Sequence, residues 1–353
     1  METITKIMKK RYLRRGIIYF LTCNLILNAW LPAVLAVVPP DPGALPGGGN
    51  VPGGYGSVGD FDYSITGELH IKDVGQQTVI NWENFDIGSD ALVKFYQLGV
   101  NPAVLNRITG EGSTGIFGSL QANGTVIIVN PAGVVFGGGS SVNVTQLIAS
   151  TLDIDKDDFL IGNYEFTAGE GAGEIANYGE INAVKGAALI GNRVLNYGTI
   201  KTNPGGFVVM AAGDRVFLSQ SGSSIAVEMD SVTAPGVGDG DVINDGLIES
   251  KSGAVVLASG DMFASALELQ KVYGGIGRVE QNGTIVTDGI GDDGGQVIMT
   301  AADEVILSAG SVTTANAGIT GDGGLVVVHS KGDTTIQADA KIEAVGGHVP
   351  YDL

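Results

Sequence analysis

A short pattern, Asn-x-Gly-x-Ile, recurs along the second half of the chain and decides the fold. It occurs as Asn177-Tyr178-Gly179-Glu180-Ile181, as Asn196-Tyr197-Gly198-Thr199-Ile200 and as Asn244-Asp245-Gly246-Leu247-Ile248, with a shortened copy at Asn282-Gly283-Thr284-Ile285. The first two copies are 19 residues apart, and the fourth follows the third after 38 residues, twice that period. Nine residues after each of the first three Asn, a Gly opens a run of apolar residues.

A period near 19 with two or three short strands per repeat is typical of a parallel β-solenoid. Each strand then pairs with its equivalents in the coils above and below, at a spacing of about 4.8 Å. Gly and Asn take the corners because positive φ costs them little. Residues 172–345 would hold roughly nine such coils. We expect the corner Asn side chains to stack into a hydrogen-bonded ladder, with the members Asn177, Asn196, Asn244 and Asn282.

The composition of the 353 residues limits the class of protein. Gly, at 56 residues, is roughly double its usual share but lacks the period of collagen. Charged residues, at 16%, are too few for a coiled coil, and apolar residues, at 44%, are enough to fill a core. An array of β-sandwiches is the alternative all-β fold, although it does not require a 19-residue period.

The distribution of charge bears on the partners. The net charge is -19, but six of the 19 Lys and Arg and one acid lie in the first 36 residues. The remaining chain therefore carries 13 basic and 37 acidic side chains, a net charge of about -24. Nucleic-acid binding requires basic patches, and the sequence shows none, so we expect no nucleic-acid partner.

The N-terminus has the pattern of an export signal. The basic stretch from Lys6 to Arg15 precedes an apolar stretch from Gly16 to Ala36, with small residues at Val34 and Ala36. We predict a signal peptide over residues 1–36, cleaved between Ala36 and Val37; an N-terminal membrane anchor is the alternative. Cleavage would remove Cys23 and leave no disulfide framework. Residues 37–59 are rich in Pro and Gly and are expected to form an extended, poorly ordered lead-in.

Residues 61–160 carry a second set of specific motifs. They are Thr78-Val79-Ile80-Asn81-Trp82-Glu83-Asn84-Phe85-Asp86-Ile87-Gly88, Val104-Leu105-Asn106-Arg107-Ile108-Thr109-Gly110, Ile116-Phe117-Gly118-Ser119-Leu120, Val126-Ile127-Ile128-Val129-Asn130-Pro131-Ala132-Gly133-Val134 and Leu147-Ile148-Ala149-Ser150-Thr151-Leu152. In this order they resemble the filamentous haemagglutinin N-terminal domain, also called the two-partner secretion domain.

The resemblance implies a fold and a route of export. It implies an all-β protein, a right-handed parallel β-helix (a single-stranded, pectin-lyase-like solenoid) with an N-terminal cap. The secretion domain would cover residues 60–170, and the β-helix stem residues 171–353. A dedicated outer-membrane β-barrel transporter would recognise the domain in the periplasm of a Gram-negative bacterium and release the protein outside or at the cell surface. Residues 344–351 still follow the coil pattern, so we expect the front part of a longer protein or a short relative.

The resemblance also suggests which residues the transporter contacts. The family's Asn-Pro-Asn-Gly-Ile motif falls on Asn130-Pro131-Ala132-Gly133-Val134, where Ala132 departs from the usual Asn. The candidate contacts are Asn106, Arg107, Asn130, Pro131 and Gly133. The alternative is structural, since Asn-Pro followed by Gly is a turn signal in any β protein, and Arg107 would simply pair with a nearby acid.

The sequence offers little to catalysis or metal binding. The three His residues, His70, His329 and His348, are not at metal-ligand spacing, so we expect no metal, cofactor or catalytic residue. The function predicted is a secreted, non-enzymatic adhesin of the haemagglutinin type, with surface glycans or proteins of host or bacterial cells as candidate targets. Two alternatives remain. One is the delivery stem of a truncated haemolysin or contact-dependent toxin, and the other is a β-helix polysaccharide-active enzyme.

The export signal yields the first testable prediction. Secreted protein should begin at Val37, because signal peptidase cuts after a small residue that ends an apolar stretch. N-terminal sequencing of the protein recovered from the medium measures this. Recovery of chains that still begin at Met1 from the membrane fraction would show an anchor instead.

Overall fold

The structure, a computed structural model, describes residues 38–169, 173–221, 224–230, 240–265 and 268–347. The predicted signal peptide, its cleavage site at Ala36 and Val37, and His348 lie outside these residues. Within the described ranges no helix is both long enough and apolar enough to cross a membrane.

The described residues form 32 β-strands and one short α-helix. The strands of the first half are β1 Asp60–Asp62, β2 Glu68–Val74, β3 Gln77–Trp82, β4 Leu92–Gln97, β5 Ala103–Ile108, β6 Thr114–Ile116, β7 Ser119–Ala122, β8 Thr125–Val129, β9 Val134–Phe136, β10 Ser141–Ser150, β11 Asp153–Ile154, β12 Tyr164–Thr167, β13 Glu174–Asn177 and β14 Glu180–Gly191. The helix, α1, spans Lys156–Ile161. The remaining strands are β15 Arg193–Asn196, β16 Thr199–Thr202, β17 Phe207–Ala212, β18 Arg215–Ser221, β19 Ser224–Asp230, β20 Val242–Asn244, β21 Leu247–Glu249, β22 Ala254–Ser259, β23 Asp261–Ser265, β24 Glu268–Gly274, β25 Arg278–Gln281, β26 Thr284–Val286, β27 Gln296–Ala301, β28 Glu304–Leu307, β29 Val312–Thr314, β30 Leu325–Ser330, β31 Asp333–Ile336 and β32 Lys341–Glu343.

Most strands belong to three parallel stacks, and one strand from each stack makes one coil. The first stack holds β2, β4, β7, the first parts of β10 and β14, β16, β21, β26, β29 and β32. The second holds β3, β5, β8, the last parts of β10 and β14, β17, β22, β27 and β30. The third holds β6, β9, β13, β15, β20, β25, β28 and β31. The prediction of a parallel β-helix is therefore confirmed.

The coils are not of equal length, and the expected period of 19 residues is wrong as a general rule. Register-equivalent residues of the third stack are 19 residues apart from Asn177 to Asn196, 48 from Asn196 to Asn244 and 37 from Asn244 to Gln281. The extra residues leave the coil as the hairpins β18–β19 and β23–β24. Among the described residues from Glu174 onward, the third stack contains the strands of six coils, β13, β15, β20, β25, β28 and β31, whereas nine were expected.

Apolar side chains from all three stacks fill the interior of the coils. Register-equivalent residues of the second stack, such as Leu189, Met210, Leu257 and Met299, are fully buried in one continuous core. Successive side chains of a strand alternate between its two faces. Because these four residues are register-equivalent, their side chains all lie on the same, inner face of the stack.

The second stack is also covered on its outer face. Its outward residues, including Leu105, Ile148 and Val209, pack against α1 and against an antiparallel sheet of β11, β12, β18, β19, β23 and β24, which we call the covering sheet. Strands buried on both faces are continuously apolar, as in Phe207–Ala212. That run indicates a second layer, which the solenoid pattern alone does not predict.

The Pro- and Gly-rich lead-in is pinned to the first coil, so the expectation of a poorly ordered segment is wrong. Asn50 and Asn81 exchange two backbone hydrogen bonds of 2.9 Å, and the Val79 amide donates to the Tyr55 carbonyl at 2.9 Å. Strand β1 then pairs antiparallel with β2. These contacts satisfy backbone groups that the first strands would otherwise leave open, so the lead-in acts as the N-terminal cap.

The continuous core yields a stability prediction. Val208→Asp should lower the free energy of unfolding by about 4 kcal/mol or more, because Val208 is fully buried and the new carboxylate would have no partner. Val100→Asp is the matched control, since Val100 is 76% exposed and should tolerate the change. Urea unfolding followed by circular dichroism compares the two; equal stability of both variants would contradict the packing described.

Candidate functional site

Asn130, Pro131 and Gly133 form a closed turn between β8 and β9. The Asn130 side chain is 1% exposed and donates to the Gly112 carbonyl at 3.0 Å and to Thr114 Oγ1 at 2.9 Å. Its Oδ1 accepts from the Ala132 amide at 3.0 Å, and its carbonyl accepts from the Gly133 amide at 3.0 Å. Gly133 has φ of 120°, which an L side chain rarely adopts. In the folded protein this motif fixes a corner of the coil.

Asn106 lies inside the core, away from any partner outside the chain. It is fully buried, its Oδ1 accepts from Trp82 Nε1 at 3.0 Å, and its Nδ2 donates to the Ile127 carbonyl at 3.1 Å. The bond to Trp82 joins two adjacent coils, since Trp82 is on β3 and Asn106 on β5. A buried amide with both groups paired stabilises the fold.

Arg107 points the opposite way from Asn106 and holds the covering sheet. Its Nε donates to Asp153 Oδ1 at 3.1 Å, and its Nη2 pairs with Asp153 Oδ2. Asp153 belongs to β11, the first strand of the covering sheet, so the ion pair joins that sheet to the second stack. The sequence did not identify Asp153 as the partner, because the two residues are 46 positions apart.

Three of the four predicted corner Asn residues form a buried ladder. Asn177 Nδ2 donates to Asn196 Oδ1 at 2.8 Å, and Asn196 Nδ2 donates to Asn244 Oδ1 at 2.7 Å. Each of these Asn side chains is fully buried. The ladder therefore satisfies the polar groups of one corner through successive coils.

The fourth rung is Gln281, and the prediction of Asn282 is corrected. Asn244 Nδ2 donates to Gln281 Oε1 at 2.7 Å, in line with the strand register. Asn282 lies one residue further on, and its Nδ2 donates to Asp245 Oδ1 at 2.6 Å outside the core. In the shortened fourth copy of the repeat, the Gly and the Ile align with those of the other copies, but the Asn is displaced by one residue. The position of the ladder Asn is instead occupied by the longer Gln281 side chain.

The Gly residues of the repeat are required by close packing and not by positive φ. A Cβ on Gly198 would collide with the Gly179 carbonyl oxygen, and one on Gly246 with that of Gly198. Neither residue has a positive φ. The expectation that Gly serves these corners through left-handed backbone geometry is therefore wrong; the absence of a side chain lets adjacent coils approach.

Charges of alternating sign run along the third stack. Arg193 pairs with Glu174 at 3.3 Å, and Arg278 with Asp241 at 3.0 Å. In register order the residues are Glu174, Arg193, Asp241, Arg278 and Glu304; the alternation ends there, because Asp333 lies opposite Glu304. Hydrogen bonding to Asp241 raises the pKa of Arg278, in keeping with a tight pair.

The four Arg residues beyond the predicted signal peptide are all ion-paired within the fold. Besides Arg107, Arg193 and Arg278, Arg215 pairs with Glu165 at 3.2 Å. Among the described residues no group of three His, Cys, Asp or Glu is placed to hold a metal ion.

A groove lies between the second stack and the covering sheet, and we call it the interlayer groove. Its volume is about 700 Å³. Its polar lining includes Thr125, Gln146, Tyr164, Lys185 and Ser219. The sequence did not predict this site, because its lining residues come from both layers and share no motif.

The fold and these contacts define a capped parallel β-helix with an added antiparallel sheet. A family model described as "TPS secretion domain" matches residues 63–299, more than half of the chain. The chain belongs to this family, the secretion domains of two-partner secreted exoproteins. The match crosses residue 170, where the sequence placed the boundary between secretion domain and stem.

Individual proteins agree with this assignment. The chain is 31% identical over 210 residues to a heme/hemopexin-binding protein of Haemophilus influenzae, covering 55% of this chain and 22% of the relative. A second heme/hemopexin-binding protein of that species is 34% identical over 113 residues, covering 32% of this chain and 12% of the relative. The chain thus spans about a fifth or less of these relatives. The crystal structure of the HMW1 secretion domain from Haemophilus influenzae superposes with a TM-score of 0.62 at 22% identity, covering 85% of this chain and 84% of that one.

The ladder yields a third prediction. Asn196→Ala should lower the free energy of unfolding by about 1–3 kcal/mol, since it leaves the amide groups of Asn177 and Asn244 without their partner. Asn282→Ala, the control, should cost about 1 kcal/mol or less, because its hydrogen bonds with Asp245 and Ser308 lie outside the buried ladder, where water can replace them. Denaturant titration measures both, and equal losses would contradict the assignment of the rungs.

Proposed function

We propose that this chain is the secretion domain of a secreted, non-enzymatic exoprotein of the adhesin type. A dedicated outer-membrane β-barrel transporter recognises the domain in the periplasm and passes the chain to the outside or the cell surface. The observation that carries the proposal is the match of the TPS secretion domain over residues 63–299. The parallel β-helix and its likeness to a solved secretion domain support it at the level of the fold.

Export in an unfolded form follows from the cross-section of the molecule. One coil contains a strand from each of three stacks, and the covering sheet adds a further layer. Even large β-barrels of 16–18 strands leave only an aqueous channel. The transporter therefore acts on an extended chain, and the coils form one after another once the chain has crossed.

The transporter would bind residues that are buried or ion-paired in the folded protein. Asn106 and Asn130 are buried and paired, and Arg107 is held by Asp153. In the extended chain their amide and guanidinium groups are free to donate hydrogen bonds to a partner. Folding outside the cell would then make the recognised groups inaccessible to the transporter, and this would oppose movement of the chain back into the periplasm.

The proposal has the exoprotein act by binding and not by catalysis. A β-helix enzyme that cleaves polysaccharides requires free Arg or Lys beside clustered acids on one face. The Arg residues beyond the predicted signal peptide instead hold the structure together, as Arg107 does with Asp153 and Arg278 with Asp241. This use of Arg supports a non-enzymatic role.

A second candidate function is suggested by the names of the relatives. Both are heme/hemopexin-binding proteins, so an exoprotein that binds a heme carrier is the alternative to an adhesin. The aligned part covers only 22% of one relative and 12% of the other. The export function is common to both candidates, and binding of purified hemopexin by the secreted protein would favour the second.

Transporter dependence and recognition are tested together. Residues 1–353 should reach the medium of a Gram-negative host only when the cognate transporter is produced with them. Arg107→Ala should lower the secreted amount several-fold, because a recognised guanidinium is lost. Secretion of the protein without the transporter, or a secreted amount that does not change when the transporter is produced, would contradict the proposed function.

The matched control keeps Arg107 and removes its folded-state partner. Asp153→Asn breaks the same ion pair, which is partly exposed and worth at most about 1 kcal/mol. We expect this variant to be secreted like the wild type. Equal loss of secretion in both variants would show that Arg107 serves only the ion pair. Arg107 would then no longer be a candidate recognition residue.

A further inference from the structure

The interlayer groove has the size and the lining of a small-molecule site. Its volume of about 700 Å³ lies within the range typical of ligand sites. Apolar residues at its base, Ile148, Phe207 and Leu218, are 0%, 2% and 6% exposed, so they contribute little to the accessible wall. Val184, which is 49% exposed, and Pro204 and Phe217 supply the accessible apolar part of the lining, so a ligand meets these residues together with the polar side chains.

Several of these side chains have unused hydrogen-bonding groups. Thr125 and Gln146 are register-equivalent residues on adjacent coils, and Tyr164 and Ser219 face them from the covering sheet. Within the described part of the chain none of these four side chains makes a hydrogen bond. The Tyr164 hydroxyl is protonated at neutral pH, as an ordinary tyrosine is, and can donate; burial raises its pKa further.

A β-bulge brings a positive charge to the groove. The register of β10 and β14 shifts between Val144 and Gln146, so that Val184 and Lys185 together oppose Thr145. Bulges commonly re-aim a side chain at a functional site. Lys185 Nζ donates to Asn101 Oδ1 at 2.8 Å and retains further N–H groups for a ligand.

The charge of the groove is opposite to that of the chain. Its lining contains Lys185 and neither Asp nor Glu, whereas residues beyond the predicted signal peptide carry 37 acids against 13 bases. Hydroxyl and amide groups on both walls match the hydroxyls of a sugar, and the ammonium matches a carboxylate or sulfate. A peptide would instead need open strand edges or deep apolar pockets.

A second groove of about 470 Å³ adjoins the interlayer groove at Val184. Its polar lining includes Asn143, Asn182 and Lys201, together with one acid, Glu249. Asn182 Nδ2 donates to Asn143 Oδ1 at 3.3 Å, so amides from neighbouring coils follow one another along this groove. Its length favours a ligand of several units over a single sugar.

We propose that the interlayer groove binds an acidic oligosaccharide, whose anionic group lies against Lys185 and whose hydroxyls are bound by Thr125, Gln146, Tyr164 and Ser219. The site lies within the secretion domain itself. Only the biological role of this binding rests on the proposed adhesive function, since the binding itself is a property of the folded domain.

The test uses the secreted protein on an array of oligosaccharides. The array carries uronic-acid-, sialic-acid- and sulfate-bearing oligosaccharides, each beside its uncharged counterpart. We expect retention of acidic members, with affinity at least about tenfold lower in Lys185→Ala because a charge-assisted hydrogen bond is lost. Gln146→Trp, which fills the groove, should abolish retention.

Lys341→Ala is the matched control. It also removes one positive charge, from an exposed pair with Glu343 in the last coil, and should bind like the wild type. Thermal unfolding of all variants verifies that each is folded, and Gln146→Ala replaces Gln146→Trp if the latter is not.

The outcomes separate this inference from the proposed function. Retention of no oligosaccharide, retention of uncharged members alone, or equal binding by wild type and Lys185→Ala would each overturn the acidic-sugar site. Secretion of the same variants by the transporter is measured in parallel. A protein that is secreted normally but binds no acidic oligosaccharide leaves the proposed function intact and removes this inference alone.

Discussion

The pairing of each strand with the same strand of the next coil is the interaction on which the rest of the structure depends. Parallel strands form no local hairpins, so the backbone groups of the strands in a coil find their partners in the neighbouring coils. The requirement explains the cap made by the lead-in, the Gly residues where coils come closest, and the amide ladder that satisfies the buried corner. Hydrophobic burial stabilises the stack, but hydrogen bonding fixes its direction and spacing.

The covering sheet gives the molecule an asymmetry that a plain solenoid lacks. One stack has an apolar outer face covered by a second layer, and the Arg107–Asp153 pair joins the two. Because that layer consists of insertions between coils, it is built from segments far apart in the chain. The interlayer groove exists only where these two layers meet, so it depends on both being folded.

The sequence was sufficient for those features that repeat. The Asn-x-Gly-x-Ile copies predicted parallel coils and three of the four ladder positions, since equivalent corners need equivalent residues. The predictions were wrong where residues leave the repeat. The hairpins change the period, and Gln281, not Asn282, forms the fourth rung because its longer amide side chain reaches the same position. The candidate recognition residues were suggested by the family resemblance, and their contacts with Thr114, Trp82 and Asp153 show what they do in the folded state. Those partners lie too far along the chain for spacing to reveal them.

The charges of the third stack alternate in sign from Glu174 to Glu304, and over these coils they favour one order of stacking; the alternation ends at Asp333, which lies opposite Glu304. With Glu174, Arg193, Asp241 and Arg278 in sequence, each new coil meets a neighbour of opposite sign. If one coil were skipped, Arg193 would lie opposite Arg278, and Glu174 opposite Asp241; like charges directly opposite one another destabilise a strand pair. Apolar stacking alone would accept such an omission, because every coil presents a similar set of aliphatic residues. From Glu174 to Arg278, the opposite charges therefore disfavour the omission of a coil, which apolar stacking alone would not prevent.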